Sequence, residues 1–312
     1  MSTVLTLEDT LPMSQVSHRL ALGVQWRDAV SHYPMTLSAP ADLVTDLEAV
    51  GQRPCPQRLD AHGEGRHAIR HSGPFARVLA RAVVQPEVVS DGNPANDADG
   101  LLLSLRVFAR RHRTVSHYQT GNDPRVFVPR RLAFMPVLSG GVPPASIDNI
   151  RQAWLWPGAA YPIPGRATAL RGRVLRKPLV GAAVPVPWAR VVLTRPGAGA
   201  PDFDAETKVG HAHVDDRGDF LLVVGAAAMP GGVALPKQIN VHVWVFLPPV
   251  ATVFDASQPL DSLPLERAGT AAIDDVLRGL QPPASYLRQT VRNLAIVLGQ
   301  SQTMAEAALT FT

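Results

Sequence analysis

LRGRVLRKPLVGAAVPVPWARVVLT (residues 170–194) and VGHAHVDDRGDFLLVV (residues 209–224) decide the fold. Short apolar runs separated by Gly, Pro and Asp read as β-strands and turns. Ala169–Leu175 is a strand, Leu179–Ala189 turns the chain back, and Arg190–Thr194 is the next strand. Val209–Val214 and Asp219–Val224 are two more, joined by Asp215-Asp216-Arg217-Gly218, which reads as a hairpin turn. In Gln238–Leu247 the residues Ile239, Val241, Val243 and Val245 alternate with Asn240, His242, Trp244 and Phe246. Both faces of its second half are apolar, which places it centrally in a sheet.

Working outward, the same punctuation recurs upstream. Leu20, Leu22, Val24 and Trp26 alternate along His18–Val30, and Pro34 closes the following turn. Ala41–Val50 is a short helix or irregular strand. His67–Ile69 and Arg77–Val84 are short strands split by Ser72-Gly73-Pro74, and Leu101–Arg110 and Arg125–Met135 are strands again. This spacing, with little helical period, predicts an all-β chain of two tandem antiparallel β-sandwiches. Residues 1–17 form an N-terminal arm in which Leu5, Leu7 and Leu11 have strand-like spacing. Residues 18–140 form the first sandwich, 141–165 a stiff Pro- and Trp-rich linker, 166–250 the second sandwich and 251–312 a mixed C-terminal extension. In that extension Ala271–Leu280 reads as one short helix, since Ile273, Val276, Leu277 and Leu280 share a face.

Composition agrees. The chain has 312 residues, 46% of them hydrophobic and 18% charged, long enough for two cores. Its 29 prolines and 24 glycines follow no repeat, which excludes collagen and disfavours a helical bundle. Cys55 is the only cysteine, so neither an intrachain disulfide nor a cysteine zinc site is available. The first residues carry Glu8 and Asp9 and no basic region, so no secretory signal is expected; nor is a membrane span, since no apolar run reaches roughly 18 residues. The bacterial cytoplasm is the expected location, alone or in a particle that is later released. Only three of the 30 cations are lysines. Arg110, Arg111 and Arg113 make the densest basic run, but the basic patches are scattered and no nucleic-acid motif accompanies them. Arginine's planar fork suits protein contacts better.

The stretch 170–224 resembles the carboxypeptidase regulatory-like, transthyretin-like β-sandwich domain. Gly172, Val174, Pro185, Pro187, Ala189, Val191, Asp216, Gly218 and Phe220 occupy the matching positions over about 60 residues, the size of a small domain. LGVQWRDAVSHYPM (residues 22–35) is a blurred version of the strand–turn–strand that opens such a domain. The resemblance implies a spacer, stalk or assembly adaptor. Cytoplasmic pairs of such sandwiches look like accessory and cap components of phage-tail-like contractile injection systems. The expected function is a non-enzymatic structural protein that acts by protein–protein contacts in a homo- or hetero-oligomer, without a cofactor.

Candidate sites follow. Trp154, Trp156, Tyr161 and Trp188 cluster near the junction, either as anchors of a subunit interface, with Arg110, Arg111 and Arg113, or as packing between the two sandwiches. His211 and His213 alternate onto one strand face about 7 Å apart, and His242 on another strand would complete a three-nitrogen metal site. Intradiol dioxygenases share a transthyretin-like topology but bind iron with two Tyr and two His, and no tyrosine pair here has the right relation to these histidines. A metal-dependent enzyme on such a sandwich is therefore the alternative, with a carbohydrate- or protein-binding module as a third. His67 and His71 would pair as ligands only on a helix, which the surrounding glycines oppose. Asp215 and Asp216 are better explained by turn chemistry than by acid–base catalysis.

Overall fold

The structure is a computed structural model. It describes residues 20–35, 42–49, 56–70, 73–79, 103–110, 125–134, 150–225, 236–250, 254, 259–267, 273–289 and 291–312. The arm, residues 1–17, lies outside the described residues, as do Arg111, Arg113, His71 and the side chain of Arg110. Within the described residues the protein is all-β with two short helices, Gly73–Leu79 and Ile273–Arg278.

The first unit is a sandwich of two sheets. One has the order Asp60–Ala61, Arg66–Arg70, Leu20–Asp28, Ile150–Leu155. The other has the order Leu265–Glu266, Arg130–Phe134, Leu103–Arg110, Asp42–Ala49, Gln57–Arg58. Leu22, Val24, Trp26, Ile69 and Leu155 from the first meet Leu47, Leu103, Leu105, Val107 and Leu132 from the second in one buried core. Trp26 keeps its indole N–H satisfied there by donating across the sheets to Thr45 Oγ1 at 2.8 Å.

The second unit repeats the plan. Thr207–His213, Arg190–Arg195 and Gln238–Leu247 form one sheet, whose far edge is completed by Leu287–Arg288 and Arg292–Val297, both paired to Gln238–Leu247. Asp219–Val223, Ala169–Arg173 and Ser301–Thr303 form the facing sheet. Val191, Leu193, Val241, Val243 and Val245 point inward against Leu170, Phe220 and Leu222. As expected, Gln238–Leu247 is flanked on both sides. The opposite face of its sheet buries Val192, Trp244 and Phe246 beneath Phe203 and Tyr286. Among the described residues no helix is long and apolar enough to cross a membrane.

Two expectations need correction, and two further regions hold strands whose pairing is long-range. Gly73–Leu79 is a helix, where a strand was expected from Arg77. Pro74 lies in its first turn, where a missing N–H costs nothing, and Phe75 and Val78 bury one face. The turn Asp215–Gly218 joins no hairpin: Thr207–His213 pairs with Arg190–Arg195, while Asp219–Val223 pairs with Ala169–Arg173 in the opposite sheet. A tight turn fixes a chain reversal, not the sheet that the returning strand joins. Gly218 still adopts the positive φ of +81° that the turn reading requires. The linker region holds a regular strand: Ile150–Leu155 runs parallel to Leu20–Asp28, a pairing across more than a hundred residues that no local pattern reveals. Finally, the C-terminal extension supplies integral strands. Leu265–Glu266 pairs with Arg130–Phe134 in the first unit, while Arg292–Val297, Ser301–Thr303 and Thr310–Phe311 pair within the second.

Candidate functional site

Ionisable side chains concentrate where the two sandwiches meet. Arg130, on a strand of the first unit, is fully buried, and Glu266 is 2% exposed. Arg130 Nε and Nη2 donate to the two carboxylate oxygens of Glu266 at 3.0 and 2.7 Å. Nη2 also donates to Val276 O at 2.6 Å, and Nη1 donates to Leu277 O at 2.7 Å and to Trp154 O. All five guanidinium N–H groups are thereby matched, the condition for burying this cation. Arg190, on a strand of the second unit, donates to the same Glu266 carboxylate at 3.2 Å and to Trp188 O at 2.8 Å. One carboxylate therefore ties a strand of each sandwich to the C-terminal segment that bears it.

The helix Ile273–Arg278 ends in this network. A helix leaves its last carbonyls without internal partners. Here Val276 and Leu277 O take Arg130, Arg278 O takes the Trp156 indole N–H at 2.9 Å, and Gly279 O faces His213 Nε2 at 2.9 Å. Gly279, at φ +72°, reverses the chain, with Leu280 N bonded to Asp275 O and Gly279 N to Val276 O, a Schellman cap. His213 stacks on Trp156 with centroids 5.5 Å apart and planes 25° apart. Since Gly279 O can only accept, His213 carries its proton on Nε2, and its buried Nδ1 has no partner among the described residues.

Burial holds the His213 imidazole well below its usual pKa, and the charges of Arg190 and Arg130 push the same way. Neighbouring His211, 5.8 Å from the Trp156 ring, is pushed down to about 4, chiefly by burial and further by Lys208 and Arg278. In the unfolded chain both take up a proton near the ordinary histidine value, about 6.5. The histidine contribution is therefore complete above that value and is lost as pH drops below about 6.5, for His211 down to about 4, at up to about 1.4 kcal/mol per pH unit for each imidazole that stays neutral in the fold. Asp215, raised by burial against the opposing charge of Arg125, acts in the opposite sense, but only closer to the carboxylate range. Urea midpoints between pH 7.5 and 4.5 check this; midpoints that do not move would contradict it.

A second ion pair closes the joint from another side. Arg125 grips Asp216 through both terminal nitrogens and reaches Asp215 Oδ2 at 3.4 Å. Asp215 also does what turn chemistry asks, accepting from Arg217 N and Asp219 N at 2.8 and 3.0 Å. Arg125 and Trp188 both have positive φ, 56° and 61°, conformations that non-glycine residues hold only when their surroundings enforce them. Trp188 is fixed by its indole bond to Ser262 Oγ at 2.8 Å and by Tyr286 OH, which donates to its carbonyl at 2.9 Å.

The aromatic candidates are thus placed inside the chain. Trp188 is buried with Val44, Phe108 and Val128 of the first unit. Trp156 is buried against the second, and buried Tyr161 donates to Asp28 Oδ2 at 2.7 Å. Trp154 is covered on its ring faces by His32, stacked at 4.7 Å, and by the Arg278 guanidinium at 4.4 Å. Trp156 and Trp188 thus pack between the sandwiches, while Tyr161 belongs to the core of the first unit and Trp154 lies beside the joint between His32 and Arg278.

The histidines do not converge. His213 is held by Gly279, while His242 Nδ1 faces the Glu206 carboxylate at 2.7 and 2.9 Å. Among the described residues no three His, Cys, Asp or Glu side chains form a metal-holding group. Nor is Thr194 an activated hydroxyl beside His242, because it donates to Glu206 and accepts from Trp244 Nε1 at 2.8 Å. His67 sits on a strand, with its ring nitrogens 3.3 Å from Gly65 O and 3.2 Å from Leu43 O. Sequence reasoning did not single out Arg125, Arg190, Glu266 or Gly279 as site residues. Glu266, lone in a Pro-Leu-Glu run, carries no pattern that would reveal it.

No protein-family model matches this chain, and no curated protein does. Among solved structures, the Bacillus anthracis TIE protein is 7% identical, over 76% of this chain and 30% of that one, with a TM-score of 0.21. The minor pilin GBS52 of Streptococcus agalactiae is 10% identical, over 92% and 94%, with a TM-score of 0.19. BcpA, the major pilin subunit of Bacillus cereus, is 10% identical in a variant form, over 74% and 64%, with a TM-score of 0.23. This chain thus spans less than a third of the first of them. Overlaps of this size establish no common fold.

Proposed function

We propose that this chain is a non-enzymatic structural or adaptor subunit of a larger bacterial assembly, acting through protein–protein contacts. The observation that carries this reading is the closed joint: Arg130, Glu266, Arg190, His213 and Trp156 satisfy one another and a helix end, and so lock two sandwiches together. Side chains matched in this way position domains. The finer assignment, an accessory or cap component of a phage-tail-like contractile injection system made in the cytoplasm, rests on the resemblance of residues 170–224.

Light scattering across a concentration series, with cross-linking to the products of adjacent genes, tests the reading. A mass above the 33.5 kDa of one chain, or a cross-linked companion, is expected. A strict monomer that captures none of those products would overturn it.

A further inference from the structure

The loop between Arg190–Arg195 and Thr207–His213 joins two neighbouring antiparallel strands, yet it turns back over the outer face of their sheet. There Phe203 meets Trp244 edge-on, with centroids 5.6 Å apart and planes at 74°, and Phe246 at 5.0 Å and 69°. Two cations surround its ring. Lys208 Nζ lies 4.7 Å from the Phe203 centroid, and the Arg288 guanidinium lies 5.4 Å from it and 5.5 Å from that of Trp244. Arg288 also donates to Asp204 Oδ2 at 3.3 Å, and Lys208 Nζ to Asp204 O at 3.2 Å. The seat has an aromatic floor and a cationic rim. Its occupant reads Asp202-Phe203-Asp204, a ring between two carboxylates.

The loop is held unevenly. At its C-terminal end Glu206 is buried; it accepts from Thr194 Oγ1 and from Asp202 N at 3.3 Å, and it faces His242 Nδ1 at 2.7 Å. Every residue from Gly197 to Asp202 is exposed, and Phe203 is only partly buried. Gly197 and Gly199 take no left-handed φ, and a methyl group on either would meet nothing within 4 Å. The seated loop therefore requires glycine at neither position, and the freedom of the two residues is spare.

We propose that this seat is a docking site for an aromatic side chain flanked by carboxylates on a partner protein, and that the chain fills it with its own Phe203 until such a segment displaces the loop. Glu206 stays as the anchor, and residues 197–200 supply the hinge. The chemistry of the partner is read from what the seat already accepts: a ring against Trp244 and Phe246, and acid against Lys208 and Arg288. Because Phe203 competes, the affinity for a partner is lowered by the fraction of time that the seat is filled from within. This goes beyond the assembly reading by naming the kind of partner, and rests on it only for that partner being a subunit.

Isothermal titration of full-length chains tests it, the probe being a capped peptide that copies residues 200–205. Phe203→Ala vacates the seat and should bind the peptide at least about tenfold more tightly than wild type does. Adding Arg288→Glu should weaken that binding at least about tenfold. A peptide with alanine in place of its phenylalanine should not bind. Phe203→Leu keeps an apolar plug without the aromatic ring and should fall between; it carries the comparison if the alanine chain unfolds. Equal affinity for wild type and the vacated chain, indifference to Arg288→Glu, or binding of the ring-less peptide would each overturn the proposal. If the vacated chain ignores the peptide while a companion still cross-links to wild type, the seat falls and the assembly reading stands. A monomer without a companion that binds the peptide as expected would sink the assembly reading and leave the seat.

Discussion

Replacing Glu266 with alanine is expected to cost about 3–5 kcal/mol of folding free energy, the range for breaking a buried ion pair from one side. Arg130 and Arg190 would remain, both buried, without their shared carboxylate. Neither can shed its proton, and each is held by backbone carbonyls that prevent escape to solvent. Removing both cations with the anion, as in Arg130→Met/Arg190→Met/Glu266→Leu, should cost less than Glu266→Ala alone, because no unpaired charge is then left. Urea denaturation reads both. A loss below about 1 kcal/mol for Glu266→Ala, the scale of an exposed pair, would show that water reaches the joint.

Gly279→Ala should be comparably severe, about 3 kcal/mol or more, for a different reason. A methyl group there would lie 2.6 Å from Trp156 Nε1 and 2.9 Å from His213 Cε1 and Nε2, in a backbone conformation of φ +72°. Neither ring can yield, since each bonds to a carbonyl of the same helix end. Gly197, with nothing within 4 Å of its added methyl, is the control and should tolerate alanine within about 0.5 kcal/mol. Thermal or urea melts of the two variants give the comparison, and equal midpoints would contradict the geometry.

The all-β fold was legible because strand periodicity and turn residues are local. Gln238–Leu247 could be read to the residue, since its alternation follows from burial on both faces. What stayed hidden depends on long-range pairing. The parallel strand Ile150–Leu155, the sheet switch at Asp215–Gly218 and the choice of the four sheets that the C-terminal extension enters have no signature within their own windows. The joint was partly legible: Trp154, Trp156 and Trp188 signalled a junction, and tandem sandwiches need one. The ion pairs were not, because a buried arginine and a solvated one look alike in sequence, and Arg130–Arg131 shows this within two residues. Arg130 is buried, while Arg131 remains partly exposed and pairs with Glu48 instead. His211-x-His213 shows the converse, a pattern that suggested a ligand pair and proves to be packing against Trp156.

The claim beneath all of this is that side chains capable of chemistry are sealed into a joint. The His213 imidazole reports on it most directly. Nitrogen–proton correlation spectra across pH, with zinc added in a second series, should show His213 neutral, protonated on Nε2, well below pH 6.5 and unmoved by the metal. A ring that titrates near 6.5, or whose Nδ1 shifts when zinc is added, would mean that the joint is open and that the scaffold account is wrong.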